Sequence, residues 1–346
     1  MGESKSEDHS RLHPHVIPIS KLDRIVAWLR DSRRDDYFYR TRRMFPSIRA
    51  MWRKIFCFKP DVAIIRPFYS YFVFIALCFL MLRGTKVVLY VQTPKYKRSI
   101  SWRDRRNLYL ITQLLRWKLF TVVERIEGED KYVDLSPKKH FIPFAHNVDS
   151  GAISRQYQLV HPRILAISKF EPRKNYDALL KALKLIKTPI SVTIIGQNTT
   201  HAHSIECERI YQEIKTNNLE DIITVHQNKE HGFVCEQYLK HDIFILPSYD
   251  EPASVSQLEA MAAGLPIIIC HENGTANYVE HKRNGLLCER DPSSLAESLN
   301  YLLNNTHLIQ KYGCESLVVL REKCNPTLIC ERFEELFLNA NNVHKS

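Results

Sequence analysis

The sequence lacks the cysteine and histidine spacing that is typical of disulfide-bonded or metal-binding proteins. Its 346 residues contain nine cysteines, an odd number, and no two of them form a C-x-x-C pair. The sequence therefore indicates neither a disulfide framework nor a zinc site, and a reducing cytosol fits best. Among the histidines, His201 and His203 form a close pair. We interpret that pair as surface residues and expect no metal.

The sequence also shows no signal peptide and no full membrane span. Its first twenty residues are polar without an apolar centre, and we expect residues 1–15 to form a disordered tail. The most apolar stretch, residues 68–82, is shorter than the about 20 residues that a span needs. Apolar strands at 60–65 and 85–91 flank it. This pattern favours a strand, helix, strand unit with a buried helix, of which an exposed face remains available to lipid.

Acidic residues are scarce in the first half of the chain. Residues 1–155 hold 30 Lys and Arg against 15 Asp and Glu, whereas residues 156–346 hold 19 against 23. Such an asymmetry indicates a negatively charged partner: nucleic acid, an anionic membrane or an acidic substrate. In segments 30–56 and 95–106 the cations are interleaved with aromatic residues, which favours a membrane surface. Ordinary solvated helix faces are the alternative.

Length and composition predict a globular protein of two domains, with 45% hydrophobic and 25% charged residues. Short apolar strands alternate with amphipathic helices, which is typical of parallel doubly wound sheets. The polar segment 146–162 carries the expected boundary between a domain of residues 16–155 and one of residues 156–346. The predicted strands are PDVAII, TKVVLYV, LFTVV and HFIPF in the first half, and RILAIS, SVTIIG, DIITVH, DIFILP, PIIIC and GLLC in the second.

Two glutamates flank a predicted helix start in the stretch YDEPASVSQLEAMAAGLP, residues 249–266. Ser254 and Gln257 predict a capping box, and Gly264 with the following Pro predicts the helix end. Glu251 then lies at the carboxyl end of a strand and Glu259 inside the helix, at the sheet edge where α/β proteins hold ligands. A carboxylate there can accept hydrogen bonds from adjacent hydroxyls of a ribose or a hexose. Solvated glutamates are the alternative.

A basic loop, SKFEPRKN at residues 168–175, follows one strand and opens a helix. It offers backbone N–H groups together with the side chains of Lys169, Arg173 and Lys174. Such a set is suited to a pyrophosphate.

The glutamate stretch resembles the donor-binding signature of the retaining glycosyltransferases of family 4: a Glu, seven residues, a second Glu and an EAMAAGLP-like helix end. The resemblance extends from about Pro162 to about Asn304. It takes in ILAISKFEPRKNYDALLKAL, VTIIGQN, DIFILPSYDEP and ENGTANYVEHKRNGLLCERDPSSLAESLNYLL, in the family's order. It implies the GT-B fold: an α/β protein with two Rossmann-like doubly wound domains that face each other across a cleft, the N-terminal one shortened.

The resemblance implies a role for each matched residue. Glu251 would bind hydroxyls of the transferred sugar, and Glu259 the ribose of the nucleotide. Where the family holds the diphosphate with an Arg and a Lys five positions apart, this chain has Lys169 and Lys174. The residues expected in catalysis are Glu251, Lys169 and Lys174, and those expected to bind the donor are Glu259, Arg173, Ser254, Val255 and Gly274.

The sequence departs from the family pattern at three places. Ala253 and Ser254 stand where the family often has Phe and Gly. After VVLYV the family often has a histidine, but this chain has Gln92, a candidate acceptor-side residue that can orient a hydroxyl but cannot act as a base. Either the leaving phosphate takes the acceptor's proton, or another residue substitutes, or the protein is inactive. No glycine-rich turn precedes Val16, and four strands appear in the first half where about six are expected.

These observations predict a retaining glycosyltransferase. It would move a sugar from a nucleotide-diphosphate sugar to a lipid-linked or cell-surface glycan precursor of the lipopolysaccharide, O-antigen or capsule type. We expect a protein at the inner, cytoplasmic face of a membrane, with no cofactor besides the co-substrate, no nucleic-acid partner and a last helix that is a candidate to pack on the first domain. The alternatives are an inactive GT-B scaffold that supports a partner, a sugar-nucleotide epimerase and a nucleic-acid binder.

Overall fold

The structure of the chain is a computed structural model. The residues that it describes are 47–65, 71–90, 118–122, 139–149, 151–152, 155–249, 251 and 253–338. Several predicted features lie outside these residues: the tail 1–15, Gln92, the segment 95–106 and residues 30–46 of segment 30–56.

Helices and strands alternate in the described first half. The elements are α1 (Ile48–Phe58), β1 (Val62–Ile65), α2 (Tyr71–Arg83), β2 (Lys86–Tyr90), β3 (Lys118–Thr121) and β4 (Lys139–Phe141). All four strands predicted in this half are confirmed. Helix α1 begins after Ser47, whose hydroxyl accepts a hydrogen bond from the amide of Ala50 over 3.4 Å. It ends at Lys59, which has a left-handed backbone with φ of 51°.

The predicted strand, helix, strand unit is confirmed for β1, α2 and β2. The two strands pair in parallel, with Val62 opposite Lys86. Helix α2 is less buried than predicted: Leu77 and Leu80 are buried, whereas Phe74 and Leu82 are exposed. The helix has 13 residues, and all except the last, Arg83, are uncharged, so apolar side chains lie on every face. Only one of these faces can cover the sheet, and the apolar side chains on the other faces are left exposed. Within the described residues, none of the helices combines the length and the apolar character required for crossing a membrane.

The second half continues the alternation. Its strands are β5 (Arg163–Lys169), β6 (Ser191–Gln197), β7 (Ile223–Gln227), β8 (Ile243–Leu246), β9 (Ile267–Cys270) and β10 (Gly285–Cys288). Its helices are α3 (Tyr176–Leu183), α4 (His201–Thr216), α5 (His231–Lys240), α6 (Val255–Ala262), α7 (Pro292–Asn304), α8 (His307–Cys324) and α9 (Pro326–Leu338). Short 3₁₀ turns cover Pro172–Lys174 and Ala276–Tyr278. All six predicted strands are confirmed.

The six strands of this half form one parallel sheet in the order β10-β9-β8-β5-β6-β7. Strand β5 lies between β6, with Ile164 opposite Val192, and β8, with Leu165 opposite Phe244. The chain runs outward from β5 to β7 and then returns to the other side of β5. This reversal of strand order is the place where open α/β sheets bind ligands.

Helices cover both faces of this sheet. Because successive side chains of a strand point to opposite faces, Ile164 and Ala166 join one apolar cluster, whereas Leu165 and Ile167 join the other. The first cluster includes side chains of α3, α4, α7 and the start of α8, and the second includes those of α5, α6 and the end of α8. The predicted doubly wound architecture is therefore confirmed for this half.

The described residues cluster into two compact units. One holds residues up to Tyr90 together with 118–119, and the other holds those from Phe120 onward. The functional division predicted at residues 155 and 156, with an acceptor side before it and a donor side after it, stays a prediction. So does the packing predicted for the last helix.

Candidate functional site

Two loops meet at the carboxyl edge of the six-stranded sheet, where the strand order reverses. One loop follows β5 and the other follows β8. The side-chain amide of Asn175 donates a hydrogen bond to the carbonyl of Pro247 over 3.2 Å, and the amide of Tyr249 donates to the carbonyl of Arg173 over 3.0 Å. The basic loop and the glutamate loop, separate in sequence, are thus joined into one rim.

The basic loop has a tight internal geometry. Pro172 opens the 3₁₀ turn, and Asn175 closes it with a left-handed backbone, φ of 58° and ψ of 35°. Upstream, the buried ring of Phe170 packs on Gly196 of β6 so closely that a Cβ atom at Gly196 would overlap it. This anchor and this turn direct Lys174 into the protein, where its side chain is buried.

Glu251 is the centre of an ion-pair cluster. Its Oε2 atom accepts hydrogen bonds from Lys174 Nζ and from Arg173 Nη1, the latter over 2.6 Å. The side chains of Lys174 and Glu251 are 8% and 7% exposed, whereas that of Arg173 is 33% exposed. Among the described residues no hydrogen bond engages Oε1 of Glu251. That oxygen is therefore free of protein partners in this part of the chain and can accept a ligand hydroxyl.

Burial and charge act in opposite directions on the two cations. Burial lowers the pKa of the Lys174 ammonium, and the charge of Glu251 opposes that shift only in part. Burial also lowers the pKa of Arg173, but the charges of Glu251 and Glu171 outweigh it and leave the pKa raised. Arg173 therefore holds its proton more firmly at the edge of the site, whereas the buried Lys174 loses its proton more easily.

The cluster extends outward to two residues that the sequence interpretation missed. Arg173 Nη2 pairs with Glu171 over 2.6 Å, and His203 Nε2 lies 3.6 Å from the other oxygen of Glu171. The interpretation of His203 as a surface residue was wrong, because it is buried at the start of α4. Its amide donates to the hydroxyl of Thr200 over 3.2 Å, so it lies in the capped first turn of the helix. A Glu two positions before the Arg was the available signal for this extension.

Lys169 lies apart from this cluster. It is the last residue of β5, opposite Gln197, and it is exposed. No ion pair involves its side chain in the part of the chain that the structure describes. The two lysines predicted to share a diphosphate therefore differ: Lys174 is buried against Glu251, whereas Lys169 is open to solvent at the sheet edge. Their shared role stays a prediction.

Glu259 lies in the second turn of α6, half-buried. Its Oε2 atom accepts a hydrogen bond from the hydroxyl of Tyr238 in α5 over 2.8 Å. The helix begins at Val255, which is 49% exposed, and the first amides of a helix lack intrahelical partners. Glu259 thus lies in the helix that follows the glutamate loop.

The predicted capping box is half correct. The hydroxyl of Ser254 accepts a hydrogen bond from the amide of Gln257 over 3.3 Å, as predicted. The Gln257 side chain does not return to Ser254. It donates to the carbonyl of Thr275 over 3.0 Å and accepts from the Thr275 hydroxyl over 2.6 Å. Gln257 and Thr275 are fully buried. The Gln257 side-chain amide makes two hydrogen bonds to Thr275, whereas a return to Ser254 would use only one of its polar atoms.

That loop carries Gly274. Its amide donates a hydrogen bond to the carbonyl of Glu251 over 2.8 Å. Asn273 and Thr275 on either side are fully buried. The loop therefore supports the backbone of Glu251 from the side opposite the basic loop.

Metal ligands are not assembled at the site or elsewhere in the described residues, where no group of three or more His, Cys, Asp or Glu side chains is placed to hold an ion. The absence of a metal or cofactor from the reaction stays a prediction. Gln92, the predicted acceptor-side residue, lies outside the described residues.

Comparison with known proteins identifies relatives in sequence and in fold. Residues 155–315 match the family model of the glycosyl transferases group 1. A curated relative, an uncharacterized glycosyltransferase of Haemophilus influenzae, is 30% identical over 178 residues, which is 46% of this chain and 48% of the relative. The chain covers about half or less of the length of the first curated relatives that it matches.

Solved structures share the fold. A glycosyltransferase from Rickettsia africae superposes with a TM-score of 0.72 at 16% identity, over 90% of this chain and 84% of that one. The protein HepE of Anabaena, in a complex with UDP and glucose, superposes with a TM-score of 0.65 at 13% identity, over 84% and 81% of the two chains. Residues 155–315 thus match the glycosyl transferases group 1 family, within a chain that has the α/β fold of the GT-B glycosyltransferases.

Proposed function

We propose that this protein is a retaining glycosyltransferase that binds a nucleotide-diphosphate sugar at the carboxyl edge of its six-stranded sheet. One observation carries the proposal: Glu251, with an oxygen free of described partners, lies between two cations where β5 and β8 meet. Sugar hydroxyls need acceptors, and a diphosphate needs cations and backbone N–H groups. This edge offers all three within a few residues.

Each predicted residue has a role in this proposal. Oε1 of Glu251 accepts hydrogen bonds from hydroxyls of the transferred sugar, and Glu259 accepts those of the ribose. Lys169 and Lys174 hold the diphosphate, and Arg173 adds a second cation at its rim. The backbone at Ser254, Val255 and Gly274 lines the donor beside the start of α6.

The proposed chemistry is a displacement on one face of the sugar. The bond between the anomeric carbon and the diphosphate oxygen breaks, the acceptor oxygen bonds to the same face, and the leaving phosphate takes the acceptor's proton. Negative charge grows on the diphosphate as it leaves. Lys169 and Lys174 stabilise that charge, which is the largest contribution expected of such cations. Gln92 orients the acceptor hydroxyl.

Nucleotide sugar as the donor class is supported by the family match and by the fold shared with a protein solved in a complex with UDP and glucose. The acceptor we propose is a lipid-linked or cell-surface glycan precursor of the lipopolysaccharide, O-antigen or capsule type. The excess of cations in residues 1–155 supports an anionic acceptor. We propose no metal, no further cofactor and no nucleic-acid partner.

We propose that the protein works at the cytoplasmic face of a membrane. The odd number of scattered cysteines, without a C-x-x-C pair, is typical of a reducing compartment. Helix α1 has cations and no carboxylates, and it exposes Trp52 by 51% and Phe58 by 76%. Cations beside exposed aromatic rings suit an anionic lipid surface, where the rings enter the acyl boundary and the cations meet the headgroups.

The deciding experiment incubates the purified protein with UDP-, GDP- and ADP-sugars and a membrane extract, and follows the products by mass spectrometry. The expected result is a lipid-linked glycan heavier by one sugar, with release of the nucleoside diphosphate. The matched control is Glu208→Ala, because Glu208 is an exposed residue of α4 outside the site. Its activity should equal that of the wild type.

Other results would support a rival or overturn the proposal. An altered sugar nucleotide without transfer would identify an epimerase. Tight binding of a sugar nucleotide without any product, in the presence of the extract, would favour an inactive scaffold. No binding of any sugar nucleotide, measured by calorimetry on the folded protein, would overturn the proposed function.

A further inference from the structure

A buried tyrosine contacts the glutamate that the proposed function assigns to the ribose. The hydroxyl of Tyr238 donates to Oε2 of Glu259 over 2.8 Å. Tyr238 is 2% exposed, whereas Glu259 is half-buried. One end of the carboxylate is therefore tied to the protein interior while the side chain still reaches the surface.

The tyrosine itself has little freedom to move. Its ring lies in the apolar cluster beneath α6 and is tilted against the ring of Phe244 in β8, with centroids 6.2 Å apart. Its carbonyl accepts a hydrogen bond from Arg155 over 3.4 Å. Burial, followed by the charge of Glu259, raises the pKa of Tyr238 well above its usual value. The phenol therefore remains a hydrogen-bond donor at neutral pH.

The geometry leaves Glu259 with acceptor capacity for a diol. A carboxylate has two oxygens and about four lone-pair sites. Tyr238 uses one of these sites, and no other described residue donates a hydrogen bond to the carboxylate of Glu259. A hydrogen bond between a hydroxyl and a carboxylate is among the stronger types, so it fixes the rotation of the carboxylate as well as its position. Such fixing removes part of the ordering cost when a ligand binds.

We infer that Tyr238 is a positioning residue for the ribose of the donor: it holds the Glu259 carboxylate in the orientation that accepts both ribose hydroxyls. This inference rests on the proposed function, since it needs a nucleotide at this edge of the sheet. Tyr238 would not touch the nucleotide. It would act only through Glu259, and its removal would lower the affinity only for ligands that carry both ribose hydroxyls.

The test compares nucleotides with and without those hydroxyls. UDP, GDP and ADP, and the 2′,3′-dideoxy form of whichever binds best, are titrated by calorimetry into wild type and Tyr238→Phe. The wild type should prefer the ribose form by on the order of 100-fold, from two hydrogen bonds to a charged acceptor. In Tyr238→Phe this preference should fall by about tenfold, while the affinity for the dideoxy form stays unchanged.

A matched control loses a tyrosine hydroxyl from the other end of the same helix. The hydroxyl of Tyr157 donates to the carbonyl of Gly264, just beyond α6, over 2.7 Å. Tyr157→Phe should keep the wild-type preference for ribose. If Tyr238→Phe is less stable than the wild type, all titrations are made at a temperature at which circular dichroism shows that every variant is folded.

A double variant separates positioning from general damage. In a Glu259→Ala background, Tyr238→Phe should have no further effect on the ribose preference, because the acceptor of its hydrogen bond is gone. An unchanged preference in Tyr238→Phe, with the wild type discriminating, would overturn this inference alone. Equal affinity of the wild type for both nucleotides would remove Glu259 from the ribose, and no nucleotide binding at all would overturn the proposed function as well.

Discussion

Lys174 and Glu251 form a buried ion pair although 77 positions separate them in the chain. The pair closes the gap between the loop after β5 and the loop after β8, and it does so beneath the exposed rim formed by Arg173. A buried pair of this kind contributes little stability as a whole, but removing one partner leaves an uncompensated charge. The two residues therefore link the proposed chemistry to the folding of the site.

The two partners should differ in their effect on stability. Glu251→Ala leaves two cations facing each other, one of them buried, so the free energy of unfolding should fall by about 3 kcal/mol. Lys174→Ala should cost less, because Arg173 still pairs with Glu251. Urea unfolding followed by circular dichroism measures both. The control is Glu272→Ala, whose exposed pair with Arg290 should contribute at most about 1 kcal/mol. Equal costs for the two cluster variants would contradict the cluster as the cause.

Glu259→Ala should weaken the binding of the preferred nucleoside diphosphate by roughly 2 to 4 kcal/mol, since two hydrogen bonds to a charged acceptor are lost with partial compensation by water. Isothermal calorimetry gives the change directly. Glu208→Ala, in an exposed part of α4, should bind as the wild type does. Unchanged affinity in Glu259→Ala, with the fold intact, would remove this residue from the donor site.

Gly196→Ala should disturb the basic loop from below. The new methyl group would overlap the ring of Phe170, so the loop must shift, at a cost of about 1 to 3 kcal/mol in the free energy of unfolding. Nucleotide affinity should fall with it. At Gly232 in α5 a methyl group meets no atom within 4 Å, and Gly232→Ala should be neutral or stabilising by up to about 1 kcal/mol. Thermal and urea unfolding measure the stability of both variants. Equal free energies of unfolding would show that the position of the Phe170 ring does not require a glycine at residue 196.

His241 should make the protein less stable in mild acid. Its pKa is lowered from 6.5 to about 4, with burial as the largest cause; the hydrogen bond to the Gln237 carbonyl and the charge of Asp242 oppose the shift, and the charges of Arg163 and Arg155 add to it. Between these values the unfolded chain binds a proton that the folded chain does not. The free energy of unfolding therefore falls as the pH falls through this window.

The expected loss through His241 between pH 7 and pH 5 is about 2 kcal/mol. Urea unfolding at the two pH values should show a smaller loss in His241→Gln than in the wild type. His146→Gln is the control, because the ring of His146, among the described residues, bonds only to the carbonyl of Asn147 at an exposed position. A wild-type pH slope in His241→Gln would assign the acid sensitivity to other groups.

Membrane docking through α1 should depend on both charge and aromatic surface. Flotation with vesicles should increase with anionic lipid and decrease with added salt, because each nearby Lys or Arg contributes about 1 kcal/mol and salt screens it. Arg53→Glu with Lys54→Glu should release the protein, and Trp52→Ala should weaken it. Lys215→Glu with Lys240→Glu, on exposed helix positions of the other unit, should not. Tight binding to DNA or RNA without flotation would favour the nucleic-acid alternative.

The strands and the loops between them could be predicted because their signals are local. Runs such as RILAIS and PIIIC are short and mostly apolar, which is the local signature of a buried strand. The partners inside the site could not be predicted in the same way. The bond between Tyr238 and Glu259 joins two helices, and that between Gln257 and Thr275 joins a helix to a loop. Gln257 shows why: its local environment favours a cap, but a buried carbonyl in tertiary contact satisfies it better.

The ion-pair cluster also sets the electrical balance of the site. Arg173 and Lys174 are matched by Glu171 and Glu251, so these four formal charges cancel before any donor arrives. A diphosphate is therefore not drawn in by a surplus of positive charge within the cluster. In the proposed function, the surplus positive charge for a diphosphate would come from Lys169, which is exposed and has no ion-pair partner in the described part of the chain. At Arg173 and Lys174 the diphosphate would have to compete with the carboxylates of Glu171 and Glu251.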